Sequence, residues 1–202
     1  MAKIKLCGLS RLCDIKAANE LMPEYIGYVF AEKSRRYVSP GQAAKLKEQL
    51  DKDIKSVGVF VNAKPEFIVD LLGSGTIDIV QLHGGESEEY INRLRQFTDK
   101  PIIKAFSVDG ERDIEEANAS GADYVLLDSG KGGTGTIFDW DLIRKMNRPY
   151  FLAGGLTVSN VGNAVEKLRP YAVDVSSGIE TDGYKDRNKM EMFVKAVRII
   201  QH

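Results

Sequence analysis

A chain of 202 residues, 43% apolar and 28% charged, has the make-up of a globular domain with a sizeable core. Its 28 basic and 29 acidic residues leave a net charge of -1, so no excess of either sign points to a nucleic-acid or membrane partner. The longest apolar runs are strand-length, too short for a membrane span, and two cysteines and two histidines without CxxC or HExxH are too few for a structural zinc site.

The first residues, Met-Ala-Lys-Ile-Lys, enter a strand pattern at once and lack a signal-peptide core, which predicts a cytoplasmic protein in which a Cys7–Cys13 disulfide is disfavoured. Strands are expected at Ile4–Cys7 and Tyr25–Phe30. Ser39-Pro40 then opens a helix with Ala43, Leu46, Lys47 and Leu50 at helical spacing. A strand at Ser56–Asn62 precedes a second helical run, Phe67, Ile68, Leu71 and Leu72. Another strand, Asp78–His83, is followed by the helix-start signal Ser87-Glu88-Glu89-Tyr90. The strand at Ile102–Phe106 leads to a helix that Ser120-Gly121 is expected to end with a glycine cap. Strands at Tyr124–Asp128, Tyr150–Ala153 and Ala172–Ser176 complete the series. Such an alternation implies parallel strands joined by right-handed crossovers. The first turn reads Cys7-Gly8-Leu9-Ser10 and not G-x-G-x-x-G, so the dinucleotide fingerprint of an open sheet is missing. The expected fold is a single (β/α)8 barrel over residues 1–202.

Barrel chemistry sits at the C-terminal ends of the strands. There the sequence places Cys7, the run Ser34-Arg35-Arg36, Gln81-Leu82-His83-Gly84, Asp128-Ser129, Gly154-Gly155 and Ser176-Ser177-Gly178. Glycines after the seventh and eighth strands let backbone N–H groups approach an anion, so Gly154, Gly155, Ser177 and Gly178 are candidates for binding a phosphate. Lys131-Gly132-Gly133-Thr134-Gly135-Thr136 is not a P-loop, because its lysine precedes the glycines. It reads instead as a loop over the substrate, a candidate lid.

Any one cysteine is more often a buried apolar residue than a reactive one. Cys7, however, shares strand parity with Lys3 and Lys5, which makes a poor apolar stripe. Asp128 closes the apolar run Tyr124-Val125-Leu126-Leu127, where a carboxylate is costly without a partner or a task. One base and one acid facing each other across a barrel mouth suit a proton-transfer isomerisation. Arg36 suits a bidentate grip on a carboxylate, although most arginines are solvated. His83 divides evenly between a structural and a substrate-binding role.

These residues match a family. Ile4-Lys5-Leu6-Cys7-Gly8-Leu9-Ser10, Ser34-Arg35-Arg36-Tyr37-Val38-Ser39-Pro40, Val57-Gly58-Val59-Phe60-Val61-Asn62 and Val80-Gln81-Leu82-His83-Gly84 appear in order. Leu126-Leu127-Asp128-Ser129, Gly132-Gly133-Thr134-Gly135 with Phe138-Asp139-Trp140, Leu152-Ala153-Gly154-Gly155-Leu156 and Val173-Asp174-Val175-Ser176-Ser177-Gly178-Ile179-Glu180 follow. The ordered set resembles the phosphoribosylanthranilate isomerases along essentially the whole chain. Leu6, Ser10 and Met22-Pro23-Glu24 depart from the family pattern without touching a residue assigned a catalytic role.

The resemblance implies a cofactor-free Amadori rearrangement of N-(5-phosphoribosyl)anthranilate in tryptophan biosynthesis, with Cys7 as general base and Asp128 as general acid. It implies that Arg36 holds the anthranilate carboxylate and the two glycine turns the phosphate, while His83 and Asp174 line the pocket. A thiol near pKa ~8.5 would have to be lowered to act at neutral pH, and Lys5 is the expected source. Two rivals stand beside this reading: a Schiff-base aldolase using Lys104, and a barrel that binds sugar phosphates without turnover. The partner in each case is a small phosphosugar, and monomer and homodimer both suit the composition.

Overall fold

The computed structural model describes residues 1–128 and 140–200, apart from the side chain of Trp140. The proposed lid, Gly132–Gly135, lies outside the described residues. Strands β1 (Lys3–Cys7), β2 (Tyr25–Val29), β3 (Lys55–Phe60), β4 (Ile79–Leu82), β5 (Ile102–Ser107), β6 (Tyr124–Asp128), β7 (Tyr150–Leu152) and β8 (Ala172–Val175) form a closed parallel barrel in sequence order. Closure comes from β1 pairing with β8, Lys5 opposite Asp174 and Leu6 opposite Val175. The expected (β/α)8 barrel is therefore the observed fold, with strand ends within one or two residues of the sequence reading.

Helices α1 (Leu12–Leu21), α2 (Pro40–Glu48), α3 (Pro65–Gly73), α4 (Glu88–Arg95), α5 (Glu111–Ala119), α6 (Trp140–Ile143), α7 (Val161–Leu168) and α8 (Arg187–Ile199) follow successive strands. Ser39 caps α2 by accepting the Gln42 N–H, with Pro40 in the first turn, and Ser87 caps α4 by accepting from Tyr90. One expectation fails. Helix α5 ends on Ser120 in an extended conformation, and Gly121 is not among the residues with positive φ. Instead the Glu88 carboxylate accepts from both Ser120 Oγ (2.8 Å) and Gly121 N (2.9 Å), so a side chain from α4 holds the turn.

Alternation along each strand sorts the side chains. Ile4, Leu6, Ile26, Tyr28, Val80, Leu82, Val125, Leu127, Val173 and Val175 point outward into the main core beneath the helices. Tyr25, Val57, Ile79, Ile103, Leu126, Phe151 and Ala172 fill the inside of the barrel. At the N-terminal end Tyr25, Tyr124, Tyr171 and Phe151 form a floor. Tyr124 and Tyr171 stack with centroids 4.9 Å apart, and Lys3 Nζ donates to Tyr171 Oη at 2.7 Å. Lys3, at the start of β1, is thus part of this plug. Cys7, Val29 and Val59 make a smaller apolar layer near the opposite mouth.

Candidate active site

A cavity of about 330 Å³ opens at the C-terminal ends of the strands. Its walls include Cys7 from β1, Asp128 from β6, Gln81 from β4 with His83 just after it, and Asp174 from β8. Arg36, from the loop after β2, and Gly154, Gly155 and Ser177, from the loops after β7 and β8, complete the set. Eight of the nine residues singled out in the sequence thus share one space. Gly178 is the exception. It packs behind the wall, where a Cβ would come within 1.9 Å of the Leu156 carbonyl oxygen. Its smallness lets the β7 and β8 loops touch.

Parity explains why Cys7 and Asp128 meet. Cys7 lies two residues beyond inward-facing Lys5, and Asp128 two beyond inward-facing Leu126. In ring order β1 and β6 are separated by β8 and β7, so the thiol and the carboxyl come from different walls. Gly27 is the β2 residue opposite Cys7, and a Cβ there would sit 2.7 Å from Cys7 Sγ. The sequence reading missed Gly27, although a lone glycine inside the apolar run Tyr25–Val29 signals a close approach.

Beneath the thiol lies a buried ion pair. Lys5 is fully inaccessible and its Nζ donates to Asp174 Oδ1 at 3.0 Å and Oδ2 at 3.1 Å. Lys5 therefore does not leave the thiol with a lowered pKa, as the sequence had suggested. Burial pushes Cys7 up. The Lys5 charge opposes this, Asp174 adds to it and Lys185 opposes it, and the balance remains upward. The resting group is a thiol and not a thiolate. Lys5→Met should move the basic group governing kcat/KM to still higher pH, since the attraction goes and the Asp174 repulsion stays. The same change should cost about 3–5 kcal/mol of stability by stranding a buried carboxylate. A pH–rate profile beside a denaturant melt checks both, and an unmoved profile dismisses the role of Lys5.

On the other wall, Gln81 Nε2 lies 2.8 Å from His83 Nδ1, and His83 Nε2 is 3.7 Å from Asp128 Oδ2. The latter is too long for a direct hydrogen bond. Burial lowers the His83 pKa against the pull of Asp128 and Asp174, which keeps the ring neutral. Gln81 was quoted in the sequence only as part of a motif. It is buried, with Oε1 lacking a hydrogen-bond partner.

Arg36 does not wait unpaired for a ligand. Its Nε and Nη2 donate to Glu180 Oε1 at 2.6 Å and Oε2 at 2.9 Å. Glu180 belongs to a short hairpin, β9 (Glu180–Thr181) and β10 (Tyr184–Lys185), inserted after the single 3₁₀ turn Ser177–Ile179 that follows β8. Its turn residues, Asp182 and Gly183, both have positive φ (51° and 83°). Asp-Gly is the sequence signal for a tight two-residue turn, and it went unread. Burial opposes ionisation of Glu180, but Arg36 and Lys185 outweigh it and hold the carboxyl at about 2. Gly8, at φ +79°, leaves room for Arg36, since a Cβ there would lie 2.5 Å from Arg36 Cδ.

Lys104 lies elsewhere. Its Nζ donates to the Gly84 carbonyl at 2.6 Å and to Glu86 Oε2 at 3.0 Å, and it does not line the cavity. A lysine engaged in this way is a structural tie, not a carbonyl nucleophile. Borohydride in the presence of substrate should trap no covalent adduct, as read by mass spectrometry; a trapped adduct on Lys104 would restore the aldolase reading. A wider hollow of about 810 Å³ adjoins the site at Ala31, Ser34 and Val61 but carries neither Cys7 nor Asp128. Among the described residues no cluster of three His, Cys, Asp or Glu could hold a metal, and no helix is long and apolar enough to cross a membrane.

Residues 4–196 match the family model described as N-(5'phosphoribosyl)anthranilate (PRA) isomerase. The chain is 48% identical over 202 residues to the N-(5'-phosphoribosyl)anthranilate isomerase of Endomicrobium trichonymphae, covering 98% of this chain and 99% of that protein. Among solved structures it is similar to a phosphoribosyl anthranilate isomerase in complex with reduced 1-(o-carboxyphenylamino)-1-deoxyribulose 5-phosphate. That likeness has TM-score 0.86 and 38% identity, covering 98% of this chain and 99% of the other. Monomers generated from the dimeric enzyme of Thermotoga maritima superpose with TM-score 0.85, at 38% identity and the same coverage.

Proposed function

Because the chain belongs to the N-(5'-phosphoribosyl)anthranilate isomerase family, an enzyme family of tryptophan biosynthesis, we propose that Cys7 and Asp128 carry out its aldose–ketose isomerisation as general base and general acid. The product is 1-(2-carboxyphenylamino)-1-deoxyribulose 5-phosphate. The observation that carries this division of labour is the convergence of a thiol and a carboxyl on one cavity rimmed by the Gly154-Gly155 and Ser177 turns.

The substrate is an aminofuranose. Asp128 gives its proton to the ring oxygen, the C1–O bond breaks, and the nitrogen lone pair forms a protonated imine at C1. That cation is an electron sink, so the proton on C2 becomes acidic and no cofactor is required. Cys7, once its own proton has passed to solvent, takes the C2 proton as thiolate. The C2–H electron pair moves into the C1–C2 bond, the imine pair returns to nitrogen, and the resulting enolamine tautomerises to the C2 ketone. The upward shift of the thiol has a use here. A less acidic thiol gives a more strongly basic thiolate, while the imine cation formed beside it favours ionisation at the moment of need.

Arg36 is assigned to the ring carboxylate through Nη1 and the second Nη2 hydrogen, since Nε and Nη2 already donate to Glu180. Gly154 and Gly155 both have positive φ (82° and 64°), a conformation that exposes backbone N–H groups to the phosphate. Ser177 opens the 3₁₀ turn on the other side, where barrels commonly bind phosphate. His83, held neutral, and Asp174, held by Lys5, line the space between. All of these residues come from one chain, so a monomer and a homodimer can carry the same site.

The test is a coupled fluorescence assay. Anthranilate and phosphoribosyl pyrophosphate are converted to the aminoaldose by the transferase, and the protein is then added. Rapid loss of substrate fluorescence, with the aminoketose as product, is the expected result. Binding without turnover would favour the rival in which the barrel only holds a phosphosugar.

A further inference from the structure

Glu180 and Lys185 do not line the cavity, yet they are the most heavily engaged charged pair near it. The Glu180 side chain is only 4% exposed, and its two oxygens face three cations: Arg36, Arg35 (Nη2 at 2.7 Å) and Lys185 (Nζ at 2.6 Å). The Lys185 side chain is 2% exposed, and its Nζ also donates to Ser176 O at 2.9 Å and Oγ at 3.2 Å. Ser176 Oγ in turn donates to the Cys7 carbonyl at 3.2 Å. The hairpin backbone is pinned from two more sides, Lys189 Nζ on Glu180 O (2.7 Å) and Arg11 Nη2 on Lys185 O (2.5 Å). A fixed carboxylate on a clamped hairpin therefore meets an arginine from a loop without regular secondary structure.

Two consequences follow from that geometry. An arginine in a loop has many rotamers, and holding it by two parallel hydrogen bonds before any ligand arrives removes an ordering cost from binding. One carboxylate against three cations also leaves the cluster short of negative charge. Arg35 is 59% exposed at its side chain and is screened by solvent, whereas Arg36, at 21%, borders the cavity. The unmet demand for an anion therefore falls on Arg36.

We propose that Glu180, braced by Lys185, is a positioning residue that aims Arg36, and that this arrangement is what makes the site selective for substrates with a carboxylate on the aromatic ring. The proposal rests on the assignment of Arg36 to that carboxylate. Glu180 touches no substrate and takes no part in the proton transfers.

The experiment compares two competitive inhibitors: the reduced product with its ring carboxylate, and the same anilino-deoxyribitol phosphate without it. Wild type should bind the carboxylated compound more tightly by about 100-fold, the worth of a strong charge-assisted pair. Glu180→Gln should lose about 10- to 100-fold on that compound while changing the carboxylate-free one by less than about twofold, and should raise KM more than it lowers kcat. Equal losses on both inhibitors, the signature of general damage to the hairpin, overturn the proposal; so does no loss on either. If Glu180→Gln does not fold, Glu180→Asp, one methylene too short to keep both contacts, must show the same selective loss. Should wild type fail to distinguish the inhibitors, the assignment of Arg36 falls and the proposal with it. Discrimination in wild type that survives in the variants sinks Glu180 alone.

Discussion

Cys7→Ser and Asp128→Asn, made singly, should each lower kcat by roughly 10²- to 10⁴-fold with only small changes in affinity for the product analogue, the usual weight of a positioned proton donor or acceptor. A serine hydroxyl ionises far less readily than a thiol, so little alkoxide is present to take the C2 proton. Asparagine keeps the shape of Asp128 but has no acidic proton to give to the ring oxygen. The two should also differ in kind. In wild type, kcat/KM should climb with pH through the neutral range, because the buried thiol must first lose its proton. Cys7→Ser should push the levelling-off of that climb beyond the accessible range, whereas Asp128→Asn should leave the thiol's titration in place at a much lower rate. Stopped-flow loss of substrate fluorescence from acid to alkaline pH reads both effects. Near-normal turnover by either variant would remove that residue from the mechanism.

Gly178→Ala should be the most damaging substitution that touches no chemical group. Its Cβ would fall 1.9 Å from the Leu156 carbonyl oxygen, with Leu156 C at 3.0 Å and Thr157 Cα at 3.2 Å. All three obstacles are backbone, so no side chain can swing aside. The β7 loop must move, and Gly154, Gly155 and Ser177 with it. The expected outcome is a KM raised by about 10²-fold or more, a matching loss of inorganic phosphate inhibition, and a stability cost of about 1–3 kcal/mol from overpacking. Thermal melts with and without phosphate separate the parts, since phosphate should raise the melting temperature of wild type and not of the variant. Unchanged phosphate protection would show that the contact between the two turns does not shape the anion site.

The barrel and the pairing of Cys7 with Asp128 were legible because they depend on short-range pattern. Apolar runs such as Tyr124–Leu127 bound their own strands, and parity along β1 and β6 decides which end residue faces inward. The place of the turns proposed for the phosphate was legible for the same reason, as Gly154, Gly155 and Ser177 lie at fixed places after strands and line the cavity. What stayed hidden was contact between distant positions. Nothing local ties Arg36 to Glu180, 144 residues away, or Lys5 to Asp174, 169 away. The direction of the Cys7 shift was misjudged for a related reason. Proximity of Lys5 could be guessed from spacing, but the depth of burial and the carboxylate already claiming that lysine could not. Gly121 shows the limit of a local rule, where a carboxylate from the preceding helix does the work expected of a glycine cap.

The ring of phenols under Lys3 makes the barrel a well with a shut base. Traffic must then share one doorway: an aminoketose that has just formed obstructs the next aminoaldose until it departs. Product should accordingly inhibit in strict competition with substrate.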